Sequence, residues 1–201
     1  PLNDDILMMR ATIALKRHHY TQALDWLKTI YTQYSKDVLA DDAVYKMAEI
    51  NADAAVMEFF PNLIHETDTI SFIQRMQIQF LEKKFCYFAV DLLDNHEFIG
   101  FIGLSEQNFE SDFTPCIDIG WRLSFKYWNK GYATEGAKKC LAYGLDDLNI
   151  PKIYAIAPKI NSKSEHVMKK IGMKKLGEFD HPKLLNDERL KCCILYEKIQ
   201  E

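Results

Sequence analysis

The pattern of apolar and polar positions divides the 201-residue chain into an early part with helical spacing and a later part in which strands dominate. Apolar residues recur at three- and four-residue steps over 5–36, which predicts two helices, and a third helix is expected to end at Asn51. Similar spacing over 67–83 predicts a further helix. From Phe85 onward, short runs of apolar, aromatic and β-branched residues replace this spacing.

Six runs in the later part are predicted to be strands, and two segments between them are predicted to be helices. A polar turn at 94–97 joins the first two runs into a hairpin. Gly172 follows the second helix as a left-handed cap. The strands are expected over 85–92, 98–104, 116–123, 152–157, 174–179 and 190–198, and the helices over 133–145 and 161–171. This order indicates a mixed α/β sheet of the layered α+β kind.

Composition narrows the class of protein. Hydrophobic residues make up 48% and charged residues 27%, as in a globular protein, and the length suits one well-packed domain. Lys and Arg are interspersed with acidic residues at a net charge of −4, so no nucleic-acid partner is expected. No stretch is apolar enough for a membrane span, and the acidic start lacks a signal peptide's basic region, so a cytoplasmic protein is expected. The five cysteines lack metal-ligand spacing, and no metal is expected.

A strand passes through a short basic turn directly into a helix over 118–135. The first amides of a helix have no partner within it, and the helix dipole adds partial positive charge there. Gly131 allows close approach of the backbone, and Lys130 adds a full charge beside it. Residues 129–134 therefore predict a phosphate-binding turn, which we call the cradle.

Four segments in this order resemble the GNAT superfamily of N-acetyltransferases, and within it the branch that includes the ribosomal-protein amino-terminal acetyltransferases. They are Glu49-Ile-Asn-Ala-Asp53 with Val56-Met-Glu-Phe-Phe-Pro61, Phe98-Ile-Gly-Phe-Ile-Gly-Leu104, the run 118–135, and Asn161-Ser-Lys-Ser164 with Met168-Lys-Lys-Ile-Gly-Met173. We therefore expect an acetyltransferase domain over 41–201. Residues 1–40 are expected to form an atypical helical extension, either as part of the same domain or as a subunit contact that would give a homodimer.

The resemblance implies a largely antiparallel sheet with a central splayed parallel strand pair, flanked by helices. It implies acetyl-coenzyme A as the donor, with its pyrophosphate on the cradle and its pantetheine arm between the strands at 117–123 and 152–157. Trp128 replaces the Gln or Arg of the general signature, but phosphate contacts are largely made by the backbone. The expected cofactor-binding residues are Trp121, Arg122, Leu123, Trp128, Asn129, Lys130, Gly131, Tyr132, Ala133, Thr134, Asn161 and Ser164.

Acetyl transfer to an amine needs a proton acceptor, a stabilised oxyanion and a proton for the departing thiolate. Asp118 stands where this branch often has Glu, so it is the candidate base, with water as the alternative. Strand alternation places Asp118 on the same face as Arg122, and a structural ion pair is the competing interpretation. For the oxyanion, the resemblance implies a backbone N–H near 121–123.

Many relatives protonate the thiolate with a Tyr seven residues after the Asn that corresponds to Asn161, and here that position is Met168. Ser164 is then the candidate, because it lies one helical turn beyond Asn161 and both can face the splayed strands. The alternative is that both residues only cap the helix. His181 is a candidate for the acceptor side, with a role in a turn as its alternative.

The resemblance and these residues favour an acetyl-coenzyme A dependent N-acetyltransferase that works by direct transfer in a ternary complex. Its acceptor is expected to be a primary amine, either of a small molecule or at the amino terminus of a protein. Met168 and the atypical amino terminus motivate one alternative, a catalytically inactive coenzyme A binding module with a regulatory or interaction role.

Overall fold

The computed structural model describes residues 46–200, which contain a six-stranded sheet. The sheet order is β1-β2-β3-β4-β6-β5, and all neighbouring strands are antiparallel except β3 and β4. The predicted mixed sheet with one parallel pair is therefore confirmed. The helices predicted over 5–36 and the extension at 1–40 lie outside the described residues. The strands are β1 (Tyr87–Asp91), β2 (Phe98–Gln107), β3 (Cys116–Leu123), β4 (Lys152–Pro158), β5 (Lys174–Asp180) and β6 (Cys192–Ile199).

Helices accompany the sheet on both faces. Those described are α1 (46–52), α2 (Glu66–Lys83), α3 (Tyr132–Ala142) and α4 (Ser162–Lys170), with 3-10 turns at Met57–Phe59, Phe125–Tyr127 and Pro182–Leu184. The α-helix α3 is shorter than predicted, because Tyr143–Asp147 forms a wider π turn in which the Leu148 N–H donates to the Tyr143 carbonyl at 3.0 Å. The spacing of apolar residues does not distinguish these two windings over so short a segment.

One face of the sheet forms the main core. Strand alternation places Ile119 and Leu123 of β3 on this face, where they are 2% and 4% exposed. They share a continuous cluster with Ala137 and Leu141 of α3 and with Met168 of α4. The helix that follows the cradle is therefore anchored directly on β2 and β3.

The opposite face of the sheet carries Asp118 and Arg122, and α2 covers part of it. Phe72 of α2 packs with its ring centroid 5.1 Å from that of Phe101 on β2. Gln79 of α2 donates hydrogen bonds to sheet carbonyls, including that of Leu104 at 3.1 Å. Asp118, the predicted base, thus lies on a different face of the sheet from the main core.

Candidate active site

The central strands β3 and β4 separate beyond a single bridging pair, Asp118 and Tyr154. A cavity of about 760 Å³ opens where they part, and its lining includes 119–123 of β3 and 156–158 of β4. We call this opening the strand gap. Strand edges that face a gap leave amide and carbonyl groups without sheet partners. The strand gap can therefore accept an amide-bearing ligand as an additional strand would be accepted.

The cradle borders the same cavity, where the chain leaves β3 and enters α3. Asn129 and Gly131 have φ angles of 60° and 92°, and these left-handed conformations turn the backbone into the helix at Tyr132. No side chain among the described residues caps this helix start. A Cβ on Gly131 would meet nothing within 4 Å, so the turn faces open space. Its first amides are free to bind an anion, which fits the phosphates of a coenzyme A donor.

Trp128 holds the cradle against the end of β3. Its indole N–H donates to the Leu123 carbonyl at 2.8 Å. Lys163, in the first turn of α4, places its Nζ 4.4 Å from the centroid of a Trp128 ring. The indole therefore links the two helix starts on either side of the strand gap, and Lys163 adds positive charge beside the cradle.

The first turn of α4 brings Asn161 and Ser164 to the cavity. Asn161 Oδ1 accepts the Ser164 backbone N–H at 3.0 Å, so Asn161 caps the helix. The Asn161 amide group and the Ser164 hydroxyl make no further hydrogen bond within the described part of the chain. Met168 also lines the cavity and is 1% exposed, but a thioether has no proton to donate. Two hydroxyl side chains of α4 line the cavity, those of Ser162 and Ser164, and Ser164 is the one that the sequence indicated.

Asp118 is buried at the point where β3 and β4 separate. Its Oδ1 accepts hydrogen bonds from the Tyr87 hydroxyl at 3.3 Å and from Gln107 Nε2 at 3.0 Å. Burial raises the pKa of Asp118 from 3.8 to about 6, although the two hydrogen bonds oppose this shift. At neutral pH the group is a carboxylate that binds a proton more readily than an exposed Asp does.

Arg122 does not form the ion pair with Asp118 that the shared strand face suggested. Its Nη1 donates to Asn51 Oδ1 at 2.6 Å, and its guanidinium carbon lies 4.1 Å from the centroid of the Phe60 ring. Four strand positions separate Asp118 and Arg122, which is about 13 Å between Cα atoms. The Arg122 side chain reaches α1 instead, and Arg122 is among the residues that line the cavity.

Aromatic side chains line the cavity on the α2 side of the sheet. We call this set the aromatic wall. Phe72 contacts both Tyr87 and Phe101, with ring centroids 6.0 Å and 5.1 Å apart. The wall excludes water from the surroundings of Asp118, which is the cause of the raised pKa, and it suits an apolar part of a substrate. Its members are Phe59, Phe60, Phe72, Tyr87 and Phe101.

Two predicted site residues do not line the cavity. Lys130 places its Nζ 5.1 Å from the centroid of the Tyr127 ring, at the outer side of the cradle. His181 packs on Phe109 with ring centroids 4.3 Å apart, and its Nδ1 accepts the Lys183 N–H at 3.2 Å. His181 therefore has the turn role that was its alternative interpretation.

The side chains of residues 46–200 also bear on other kinds of chemistry. No group of three or more His, Cys, Asp or Glu side chains there is arranged for a metal ion. No helix in this range is both long and apolar enough to cross a membrane. Burial raises the pKa of Cys116 to about 11, so this thiol beside the site is protonated at neutral pH and is a poor nucleophile.

The sequence analysis missed Tyr87 and Asn51. A Cβ on Gly120 would lie 2.8 Å from the Tyr87 hydroxyl oxygen, so this glycine makes room for a side chain from β1. In the sequence, the glycine between Asp118 and Arg122 was therefore the signal that a side chain from another strand lies close to Asp118. No comparable signal marks Asn51, whose bond to Arg122 spans 71 positions.

The fold and the cavity define an enzyme class that binds a coenzyme A donor between two separating strands and at a helix start. The chain matches the family model described as "Acetyltransferase (GNAT) domain" over residues 37–174. It therefore belongs to the GNAT family and is an acetyl-coenzyme A dependent N-acetyltransferase.

Individual proteins support this assignment. The uncharacterized N-acetyltransferase YnaD of Bacillus subtilis is 36% identical over 138 residues, which are 68% of this chain and 75% of YnaD. Spermidine N(1)-acetyltransferase of Escherichia coli K12 is 36% identical over 75 residues, which are 36% of this chain and 40% of that enzyme. A GNAT-family acetyltransferase structure from Bacillus anthracis aligns with a TM-score of 0.65 at 28% identity, over 79% of this chain and 90% of that one. The ribosomal-protein branch stays a prediction, because the ribosomal-protein-S5-alanine acetyltransferase structure from Vibrio fischeri, with a TM-score of 0.58, is 22% identical to this chain and shows a similar fold alone.

Proposed function

We propose that this chain transfers the acetyl group of acetyl-coenzyme A directly to the primary amine of a small molecule. The observation that carries this proposal is the single cavity of about 760 Å³, which contains the cradle, the strand gap and the buried Asp118. When bound, acetyl-coenzyme A supplies an acetyl group activated as a thioester. The cradle amides and Lys163 would hold its phosphates, and the free strand edges at 121–123 and 156–158 would hold its amide-bearing arm.

Asp118 is proposed to remove the proton from the acceptor amine. Its carboxylate lies in the cavity, and Tyr87 and Gln107 fix its orientation by donating to the same oxygen. Its pKa of about 6 leaves it ionised at neutral pH yet more basic than an ordinary Asp. A base whose pKa lies close to the working pH is the efficient choice for general catalysis.

Ser164 is proposed to donate a hydrogen bond or a proton to the departing thiolate. Its hydroxyl borders the cavity at the start of α4, opposite β3 across the strand gap. Backbone N–H groups within Trp121–Leu123 that point away from β2 are the corresponding candidates for stabilising the oxyanion, because they face the strand gap.

The dimensions of the cavity support a small acceptor. Its volume lies within the usual range of about 300–1,000 Å³ for small-molecule sites. The aromatic wall and Asp118 line this cavity, into which a flexible small amine fits more readily than a folded polypeptide. The name of the E. coli relative, a spermidine acetyltransferase, also indicates a small amine as acceptor for that enzyme.

The test is a thiol-release assay with acetyl-coenzyme A and a panel of acceptors. The panel contains small primary amines and, as the alternative class, short peptides with free amino termini. We expect release to be stimulated by small amines and not by the peptides. Stimulation by peptides alone would assign the reaction to protein amino termini. Tight coenzyme A binding without stimulation by any acceptor would favour the inactive module.

Asp118→Asn tests the base. Turnover should fall by roughly 100-fold, which is the lower range for loss of a general base. In the wild type, kcat/KM should fall as the pH drops through about 6, because protonated Asp118 cannot accept a proton. The residual activity of Asp118→Asn should lack this acidic limb of the pH profile. The control Asp112→Asn, which changes an exposed carboxylate, should retain it.

The melting temperature of Asp118→Asn distinguishes loss of the base from misfolding of the variant. The folded-state pKa of Asp118, about 6, lies above its usual value of 3.8. Ionisation of Asp118 therefore destabilises the fold, by an amount that is absent below pH 3.8 and complete above about pH 6. Asp118→Asn removes this term, so its melting temperature at pH 7 should equal or exceed that of the wild type. Unchanged turnover in a stable variant would assign the base role to water.

A further inference from the structure

Arg122 has hydrogen-bonding capacity that the described residues do not use. Its Nη1 donates to Asn51, but its Nε is buried without any partner. A buried donor without a partner destabilises the folded state, so native structures rarely retain one without a function. Arg122 lines the same cavity as Asp118, together with Phe60 and Phe101, whose rings lie against its guanidinium.

The charge of Arg122 also lacks a counter-ion within residues 46–200. Among the side chains that the structure describes, no carboxylate is within ion-pairing distance of its guanidinium. Burial lowers the pKa of Arg122 to about 10, which still leaves it fully charged at neutral pH. A cation removed from water without a counter-ion favours binding of an anion, because the anion restores what hydration provided.

The guanidinium is held in a fixed position. Asn51 donates through Nδ2 to Thr69 Oγ1 at 2.9 Å, and this bond turns Asn51 Oδ1 toward Arg122. Asn51 and Thr69 are 1% and 0% exposed. The Phe60 and Phe101 rings lie 4.1 Å and 5.3 Å from the guanidinium carbon. Such a preorganised guanidinium binds a planar anion with little loss of side-chain entropy.

The surroundings define the kind of molecule that would carry the anion. The cavity holds a carboxylate base at Asp118 and a cation at Arg122, whose Cα atoms are about 13 Å apart along the strand. The aromatic wall provides the apolar lining of this part of the cavity. An acceptor with an amine, an apolar linker and an anion matches these three features, whereas a polyamine would bring a second cation to Arg122.

We propose that Arg122 binds a carboxylate of the acceptor, so that the substrate is an aminocarboxylate in which an apolar linker separates the amine from the acid. The proposal rests on the proposed acetyl transfer to a small amine and specifies its substrate class. The carboxylate would accept from the Nε edge of Arg122, while Asn51 keeps its bond to Nη1 and the amine lies toward Asp118.

The test compares acceptors that differ only at one end. Hexylamine, 6-aminohexanoate and 1,6-diaminohexane present the same amine and linker with a methyl group, a carboxylate or a second amine, and shorter and longer homologues adjust the spacing. In the wild type, kcat/KM should be about 10- to 100-fold higher for the best aminocarboxylate than for the matching alkylamine, as expected for one charge-assisted contact. The diamine should be the poorest acceptor.

Substitutions of Arg122 test whether this residue causes the preference for the carboxylate. Arg122→Gln should reduce the carboxylate preference to within about threefold, mainly through KM, and Arg122→Lys should retain part of it because the charge remains. Arg75→Gln, which removes an exposed arginine of α2, is the matched control and should leave the preference unchanged. A wild type without preference for the carboxylate, or a preference that persists in Arg122→Gln, would overturn the proposal.

A binding measurement tests the carboxylate site without requiring turnover. Calorimetry with hexanoate and its homologues, on protein saturated with coenzyme A, should show binding in the wild type that Arg122→Gln weakens at least tenfold. Such binding without acetyl transfer to any amine would refute the proposed function and leave the carboxylate site standing. A similar loss of coenzyme A affinity in Arg122→Gln would instead place Arg122 at the donor and overturn the carboxylate site.

Discussion

The proposed donor side and the proposed acceptor side of the cavity are built in different ways. The cradle on the donor side is a continuous stretch, 129–134, and its binding groups are backbone amides at the start of α3. The acceptor side is assembled from side chains of distant segments, and one of its bonds joins residues 71 positions apart. Backbone groups tolerate changes of side chain, whereas a side-chain site changes with each substitution. The difference explains how a conserved type of donor site can serve different acceptors.

Gly131→Asp should break the donor side and gives the largest expected effect. The φ of 92° strains any residue with a Cβ, and the carboxylate would extend into the space intended for phosphates. We expect acetyl-coenzyme A affinity to fall by more than about 100-fold, which calorimetry would measure.

Gly172→Asp is the matched control for this substitution. Gly172 also has a positive φ, 76°, and also has nothing within 4 Å of an added Cβ, but it does not line the cavity. The control should lose stability to a similar degree and keep its donor affinity. Equal affinities for Gly131→Asp and the wild type would refute the cradle assignment.

Ser164→Ala tests the part of the cavity where the donor side and the acceptor side meet. Removal of the hydroxyl should lower turnover by about tenfold, because the thiolate loses a donor, and should leave coenzyme A affinity within twofold. Ser71→Ala on α2, whose hydroxyl bonds to the Thr67 carbonyl, is a control outside the cavity. If stopped-flow measurements show the same chemical rate in Ser164→Ala and the wild type, Ser164 only supports the start of α4.

Tyr87→Phe should have the smallest effect and concerns only the acceptor side. The Tyr87 hydroxyl stabilises the ionised form of Asp118, so its loss should raise the pKa of Asp118 further. The acidic limb of the pH profile should move upward by up to about one pH unit, with turnover at high pH little changed. Tyr196→Phe, which removes a hydroxyl bonded to Glu165, should leave the limb in place. A limb that stays or moves downward in Tyr87→Phe would contradict the assignment of Asp118.

The sequence allowed the sheet and the turn before α3 to be predicted because both depend on local patterns. Alternation over β3 and the glycine before α3 are signals that neighbouring residues carry themselves. The burial of Asp118 depends on Tyr87 and Gln107, which come from two other strands. Strand alternation also correctly placed Asp118 and Arg122 on one face, but it contains no information about the competing partner Asn51. The acceptor side was therefore the part that required tertiary structure.

The single bridge between β3 and β4 has a consequence for the stability of the enzyme. The sheet has few hydrogen bonds across its centre, and a donor arm lodged in the strand gap would supply additional ones. A ligand that binds only the folded state stabilises it by RT ln(1 + [L]/Kd). The melting temperature of the protein should therefore rise with coenzyme A concentration, and amide exchange should slow along the facing edges of β3 and β4. Abundance of the enzyme in a cell would then depend on the supply of its own co-substrate.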